Sequence, residues 1–451
     1  MKKRFYFLLF ILPLLSGCCR VSLNPSRSYE DVKQNVLQRT GQEIYWQNHD
    51  PEFIYCLESY LEHPLTFEDM VQITLLNNYK LQAAYQLLGV AQAQVVQAHL
   101  LKNPLFGLSL RYENLVKGAN IIEMGLVQNI LDILLKPVKI RLARIEREQV
   151  KQEIAGLVIE TIAEAKMAYI HYQTSRHILD MKKQLLEAAE ASFDGAKRLR
   201  QAGNLTELFL VQQQSLYEEI KIDVSEWESI VYSARQDLNT LMGLWGCFTH
   251  WEAAGSLPEV TEVQYDLDEV ERCALENSLN LQIKKEEIRA TAARYKIQTA
   301  ETVFPEMFLG PDSEKEADNT WYVGPAISLA IPIFDTGKAR ISEGHFEVAR
   351  LCNEYIDLAI NIRASARKLA FNLNQSYFQY DWFEKALIPI SETTTTQALL
   401  QVNAMQIGVF ELLDMKKKEI MTKQRAFSYY EMFWRNKAEL ERLISGKFVE
   451  S

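Results

Sequence analysis

Residues 66–82 read TFEDMVQITLLNNYKLQ, and residues 266–282 read DLDEVERCALENSLNLQ. Laid over one another at an offset of 200, Leu75 meets Leu275, Asn77 meets Asn277, Leu81 meets Leu281 and Gln82 meets Gln282. The order of elements after each copy repeats as well. A helical pattern of about forty residues reaches a proline, Pro104 or Pro305, and then a short stretch with β character. A very long helical run comes next, then a glycine turn, then a further helix of about forty residues. The glycine turns read AGNLTEL over 202–208 and IGVFELL over 407–413. The chain is therefore two copies of one unit, 65–245 and 266–445. A linker, 246–265, joins them, with a segment 18–64 before and a tail 446–451 after.

Pro137 suits a first helical position, and little stops the first long run before Gly203. At 1.5 Å per residue, 137–200 would extend for about 95 Å. Its apolar seam is Val158, Ile162, Ala165, Tyr169, Tyr172, Leu179 and Leu186. The second run carries Ile341, His345, Val348, Cys352, Tyr355, Ala359, Ile362, Ala366, Leu369 and Leu373. Spacings of three and four mark helices packed as coiled coils.

The β-like stretches alternate with period two. Four strands are expected, at about 104–113, 121–131, 305–310 and 321–333. In the first, Phe106, Leu108, Leu110 and Tyr112 alternate with Gly107, Ser109 and Arg111. In the last, Trp321, Val323, Pro325, Ile327, Leu329, Ile331 and Ile333 share one face. The third is short, because residues 311–319 (PDSEKEADN) read as an exposed loop. An apolar face backed by small and polar residues suits a barrel strand in lipid. A soluble strand packed on helices would show the same alternation. Four strands cannot close a barrel with a lumen, and open edges are not tolerated in lipid, so an inserting chain must oligomerise.

The first seventeen residues stand apart. Lys2, Lys3 and Arg4 precede an apolar run, Phe5 to Leu15, as in a secretory signal peptide. The run ends in Leu15-Ser16-Gly17-Cys18, which resembles the bacterial lipobox and implies a covalent lipid on Cys18. Removing 1–17 takes three positive charges from a net charge of −10, leaving −13. So acidic a chain is a poor partner for nucleic acid. Beyond the signal there is no run of eighteen apolar residues, so insertion would proceed through strands or lipid. The spacings of Cys56, Cys247, Cys273 and Cys352 match no metal or redox motif, and leave disulfide pairing open. His171 and His177 are six apart, and Cys247 with His250 forms a lone C-x-x-H. With no nucleophile elbow, P-loop or Rossmann pattern either, the sequence supplies no catalytic site, metal or cofactor.

The stretch 324–340, GPAISLAIPIFDTGKAR, resembles the strand-to-helix signature P-[LI]-F-D-x-G of the TolC-like outer-membrane efflux family. Pro332 would end strand pairing, Asp335 cap the helix and Gly337 ease the turn. The first copy departs from that signature, with Leu131-Asp132-Ile133-Leu134-Leu135-Lys136-Pro137 at the same point. The resemblance implies a mainly α fold with a small transmembrane β part. A homotrimer would share a twelve-strand β-barrel, four strands per chain, joined to a tunnel of long coiled-coil helices. It implies an outer-membrane exit duct in a Gram-negative-type bacterium, passive, non-enzymatic and lipid-anchored. Such a duct serves an inner-membrane pump of RND or ABC type through a periplasmic adaptor, in tripartite efflux or type I secretion. Adaptor contact falls on the helix tips, Gly203, Asn204, Leu205, Gly408 and Val409. A periplasmic gate falls on Glu411 and Asp414, which lie three apart on one helix face. Acids in a first turn also serve the helix dipole without further role. The alternative is a lipid-anchored coiled-coil scaffold or adaptor, which would not need amphipathic strands at matching points of both copies.

Overall fold

The computed structural model describes residues 22–47, 52–112, 120–255, 257–262, 265–305, 307–316 and 318–449. The signal segment and Cys18 lie outside them. The chain forms two compact units, each drawing on both sequence copies. One gathers the residues up to 32, 84–154 and 280–359; the other gathers 33–83, 155–279 and 360–451.

Helices α1 (Ser26–Thr40) and α2 (Glu52–Leu61) precede the first copy. That copy runs α3 (Phe67–Asn77), α4 (Tyr79–His99), β1 (Leu105–Tyr112), β2 (Asn120–Asn129), α5 (Ile130–Gln201) and α6 (Glu207–Leu241). The second runs α7 (Leu267–Glu276), α8 (Leu279–Val303), β3 (Met307–Lys315), β4 (Trp321–Leu329) and α9 (Lys338–Trp382). A π-helical segment (Phe383–Leu387), α10 (Ile388–Asn403) and α11 (Val409–Ile444) complete it. The expected forty-residue helix is thus broken in both copies, at Asn78 and at Asn277-Ser278. Thr66 and Asp266, an offset of 200 apart, cap the two short helices with their side chains.

The copies also close in the same way. The Nδ2 of Asn77 donates to Met242 O at 2.9 Å, and that of Asn277 donates to Ile444 O at 3.1 Å. Gly243 and Gly446 hold positive φ, +65° and +110°. A Cβ on either would lie 2.3 or 2.2 Å from the carbonyl oxygen of Asn77 or Asn277. Only glycine permits both the dihedral and the approach.

Several expectations need correction. Helix α5 begins at Ile130, directly after β2, so Pro137 lies inside it and not at its first position. At 72 residues, α5 extends for about 108 Å. β3 runs through Lys315, across residues read as a loop. It lies between β2 and β4, so its backbone is paired on both sides despite its charge. Pro311 stands opposite Pro325, so two residues that cannot donate share one rung. Finally, His345 and Cys352 are exposed, and the seam there runs through Gly344 and Leu351. A strict 3.5-residue repeat drifts against a 3.6-residue helix, which moves the buried face by one residue.

The core of the second unit packs Met70, Ile73, Tyr169, Tyr172, Leu238 and Trp251. Trp251 is 1% exposed, with its Nε1 donating to Asn239 Oδ1 at 2.7 Å, whereas Trp245 is exposed. Among the described residues, no helix is long and apolar enough to cross a membrane.

Candidate channel wall and helix-hairpin tips

The register of the sheet, ordered β1-β2-β3-β4, decides which side chains share a face. Phe106 stands opposite Leu126, Leu108 opposite Met124 and Leu110 opposite Ile122. Met124 faces Ser313 and Gln128 faces Leu309. Ser313 then faces Val323, Leu309 faces Ile327, and Met307 faces Leu329. One face therefore gathers apolar residues from all four strands, interrupted by Gln128, Ser313 and Lys315. Period two sends Gly107, Ser109, Arg111, Glu123, Gly125, Asp312, Glu314, Gly324, Ala326 and Ser328 to the other, together with Val127, Phe308 and Tyr322.

The apolar face is not a buried one: Phe106, Val323 and Ile327 are 66%, 76% and 74% exposed. β1, eight residues long, spans about 27 Å at roughly 3.4 Å per residue. On the polar face Arg111 and Glu123 form an ion pair at 2.8 Å. Glu123 stands opposite Glu314, and Gly125 opposite Asp312. The sequence reading missed the part of this face that β3 supplies, Asp312 and Glu314, because it treated 311–319 as outside the sheet.

The two strand-to-helix junctions differ. In the second copy Asp335 Oδ1 accepts from Gly337 N at 2.8 Å. The Gly337 carbonyl accepts the first bond of α9, from Ile341 N. Asp335 therefore folds an Asx turn onto the capping residue and is not itself the cap. Gly337 has φ +74°, and a Cβ there would lie 2.9 Å from Val303 Cγ2. β4 ends at Leu329, short of the expected residue 333 and three residues before Pro332.

In the first copy the helix starts with no turn at all, and Asn129 Oδ1 accepts from Asp132 N at 3.2 Å. Asp132 is buried between Lys139 at 2.9 Å and Lys102 at 3.1 Å, and Lys139 also reaches Glu301 at 2.9 Å. Burial pushes the Asp132 carboxyl up, but the two ammonium groups outweigh it and hold it below its ordinary value.

At the hairpin tips the backbone is the same twice. Gly203 N donates to Arg200 O and Asn204 N to Leu199 O. Met405 N donates to Val402 O and Gln406 N to Gln401 O. Both are Schellman turns, and they align Gly203 with Met405 and Thr206 with Gly408. The two glycines of the sequence motif thus occupy different positions of one turn. Met405, 94% exposed, takes the left-handed φ of +58° that glycine takes in the first tip. Thr206 caps α6 through its side chain, whereas Gly408 caps α11 with none. Leu205 is half-buried; Gly203, Asn204, Gly408 and Val409 are exposed.

Glu411 and Asp414 are both exposed on the first turns of α11. Asp414 pairs with Lys418 at 2.8 Å, and Glu207 of the first tip pairs with Arg200 at 2.9 Å. Between the tips, Phe209 meets Phe410 edge to face, centroids 4.4 Å apart. Deeper in, buried Glu419 lies between Lys416 at 2.9 Å and Lys423 at 3.0 Å, and Lys423 reaches Glu392 at 2.7 Å. Burial raises the Glu419 carboxyl, and its lysine partners more than reverse that. Its signal in the sequence was lysine at i−3 and i+4.

No protein-family model and no curated protein sequence matches the chain. Solved structures do. The Campylobacter jejuni CmeC outer membrane channel superposes with a TM-score of 0.71 at 13% identity, over 85% of this chain and 86% of that one. The outer membrane protein VceC from Vibrio cholerae gives 0.62 at 12%, over 90% and 98%. The open state of the Neisseria gonorrhoeae MtrE outer membrane channel gives 0.63 at 16%, over 84% and 89%. This is the fold of the TolC-like outer-membrane efflux channels.

Within that fold the uncovered sheet is the barrel portion, and α5–α6 and α10–α11 are its paired helix hairpins. Cys247, Cys273 and Cys352 are free thiols. Among the described residues no group of His, Cys, Asp or Glu is placed to hold a metal ion.

Proposed function

We propose that the chain is one subunit of an outer-membrane exit duct. Three copies close a twelve-stranded barrel in lipid and continue it as an α-helical tunnel in the periplasm. Passage is passive, driven by an inner-membrane pump of RND or ABC type and coupled by an adaptor that meets the tips around Gly203–Leu205 and Gly408–Val409. Cys18 carries the lipid that holds each chain to the membrane. Glu411 and Asp414 of three chains form a ring of six carboxylates at the periplasmic gate.

The observation that carries this reading is the sheet itself. Its mainly apolar face is uncovered over four strands, its other face carries the glycines and charged residues of the sheet, and both outer strands have one unpaired edge. An apolar patch of this extent calls for a partner or a membrane, and lipid tolerates no open edge. Sharing edges among copies answers both demands.

The test is a matched pair of substitutions on neighbouring residues of β4. Ile327→Arg puts charge on the apolar face and should cost about 2–4 kcal/mol per chain near a bilayer midplane, three times over in a trimer. Ser328→Arg puts it on the polar face and should leave assembly intact. The measurement is the heat-resistant oligomer in outer-membrane fractions, with conductance in planar bilayers. Equal effects at the two positions would remove the case for a strand with one side in lipid.

A further inference from the structure

We propose that the π-helical segment Phe383–Leu387, with Pro389 behind it, is a hinge about which the α10–α11 hairpin bends away from the α5–α6 hairpin. The purpose of that bending, opening the tip end of the duct, rests on the function proposed above. The hinge itself rests on three observations within one unit of the chain.

The first is a residue count. On one side of the segment, Ala366 answers to Ala165, Ala370 to Tyr169 and Leu373 to Tyr172, all buried and all at an offset of 201. On the other side, buried Ala398 answers to buried Ala196, and Met405 to Gly203, at an offset of 202. The second copy has gained one residue between these points, and the π-helix is where it is stored. The matching part of α5 is unbroken. When a two-helix hairpin bends, the paths of its helices change length unequally. Helix α11 can curve smoothly over its 36 residues, and the stored residue lets its partner follow.

The second is the softness of α10. Its sequence is IPISETTTTQALLQVN, where α5 has LEAAEASFDGAKRLRQ over 186–201. Ser391, Thr394, Thr395 and Thr396 each turn their hydroxyl back to a carbonyl three or four residues earlier. Such bonds favour helix bending.

The third is the pattern of attachment. On the Ser445 side of the hinge, α11 is tied to α5 by Lys166–Glu441 at 2.6 Å and His171–Glu431 at 3.3 Å. On the tip side, among the described residues, the ion pairs stay within one hairpin: Lys182–Asp223 in the first, and the Glu419–Lys423–Glu392 chain in the second. The hairpins meet there through Leu185, Ala189 and Ile220 against Leu413 and Ile420, and through Phe209 against Phe410. Cavities of about 540 and 300 Å³ flank this contact. The second hairpin is braced internally and only lightly attached to the first.

The test is amide hydrogen exchange on the full-length protein in detergent. Peptides from 388–403 should exchange about tenfold faster than those from 186–201, since local opening follows local stability. Deleting Lys385, an exposed residue, should restore an unbroken helix, slow 388–403 to the rate of its counterpart and leave α5 unchanged. If the deletion impairs folding, Pro389→Ala with Thr394→Ala and Thr396→Ala decides the matter, with the same slowing expected. Equal rates in the unmodified protein, or rates that neither variant slows, would overturn the hinge.

A cross-link adds the functional arm. Phe209→Cys with Phe410→Cys, oxidised, should hold the pore in its low-conductance state until reduced. Glu392→Cys with Lys423→Cys, inside one hairpin, should not. Free opening with the first bond formed overturns the proposal. Absence of any pore from the unmodified protein would defeat the duct reading and leave exchange to decide the hinge.

Discussion

The two hairpins are built to one plan and stiffened to different degrees. The first has an unbroken 72-residue helix, a glycine at the left-handed position of its turn and a threonine hydroxyl capping the return helix. The second has a π-helical insertion, Met405 at the left-handed position and Gly408 as a cap without a side chain. A non-glycine residue in that conformation costs about 1–2 kcal/mol. Backbone strain of this kind persists where the surrounding structure holds it and often marks places that move. Repetition therefore preserved the architecture, and divergence placed the weak points in one copy.

The comparison is most exposed to test where the copies agree. Gly243→Ala and Gly446→Ala should each cost about 2–4 kcal/mol, combining a left-handed dihedral with overpacking against a carbonyl. Gly446 should be the worse, because its φ of +110° lies outside the left-handed well in which the +65° of Gly243 falls. Thermal unfolding by circular dichroism reads both. If either alanine were harmless, the shared closure of the repeats would lose its force.

Next in size is the acidic pair that only the second tip carries. Glu411→Ala with Asp414→Ala should raise conductance and weaken cation block from the periplasmic side by about tenfold, the lower end of what such fields achieve. Glu207→Ala, in the first tip, should change neither. Unchanged block in the double variant would leave Glu411 and Asp414 as ordinary first-turn acids.

Exchanging the turn residues gives a smaller effect of opposite sign in the two tips. Gly203→Met should destabilise the first hairpin by about 1 kcal/mol, and Met405→Gly should stabilise the second by about 0.5 kcal/mol after glycine's own entropy is counted. Amide exchange across each tip is the measurement. A gain at Gly203 or a loss at Met405 would mean that the turns are not equivalent. The smallest effect belongs to the cap: Gly408→Thr should slow exchange in the first turn of α11 by a few tenths of a kcal/mol.

Much of this was legible in the chain. The offset of 200 between Asn77 and Asn277 found the repeat, because both asparagines serve the same helix break and both last helices end on a glycine. Alternation found β1, β2 and β4, since one face of each is apolar over most of its length, with Gln128 the exception in β2. It shortened β3, because Asp312, Glu314 and Lys315 look like a loop until partners on both sides are known. It also paired Gly203 with Gly408 by residue type, where hydrogen bonding pairs Gly203 with Met405.

The sequence by itself determined the repeat, the long helices and the two-faced strands, because these rest on local periodicity and on turn residues close along the chain. Tertiary structure alone decided the sheet order and the seam that runs through Gly344 and Leu351. It also decided the burial of Asp132 and Glu419, and the place where the second copy stores its extra residue. Each of these depends on which distant backbone or side chain arrives opposite, and a pattern read along one strand or helix carries no information about its neighbour.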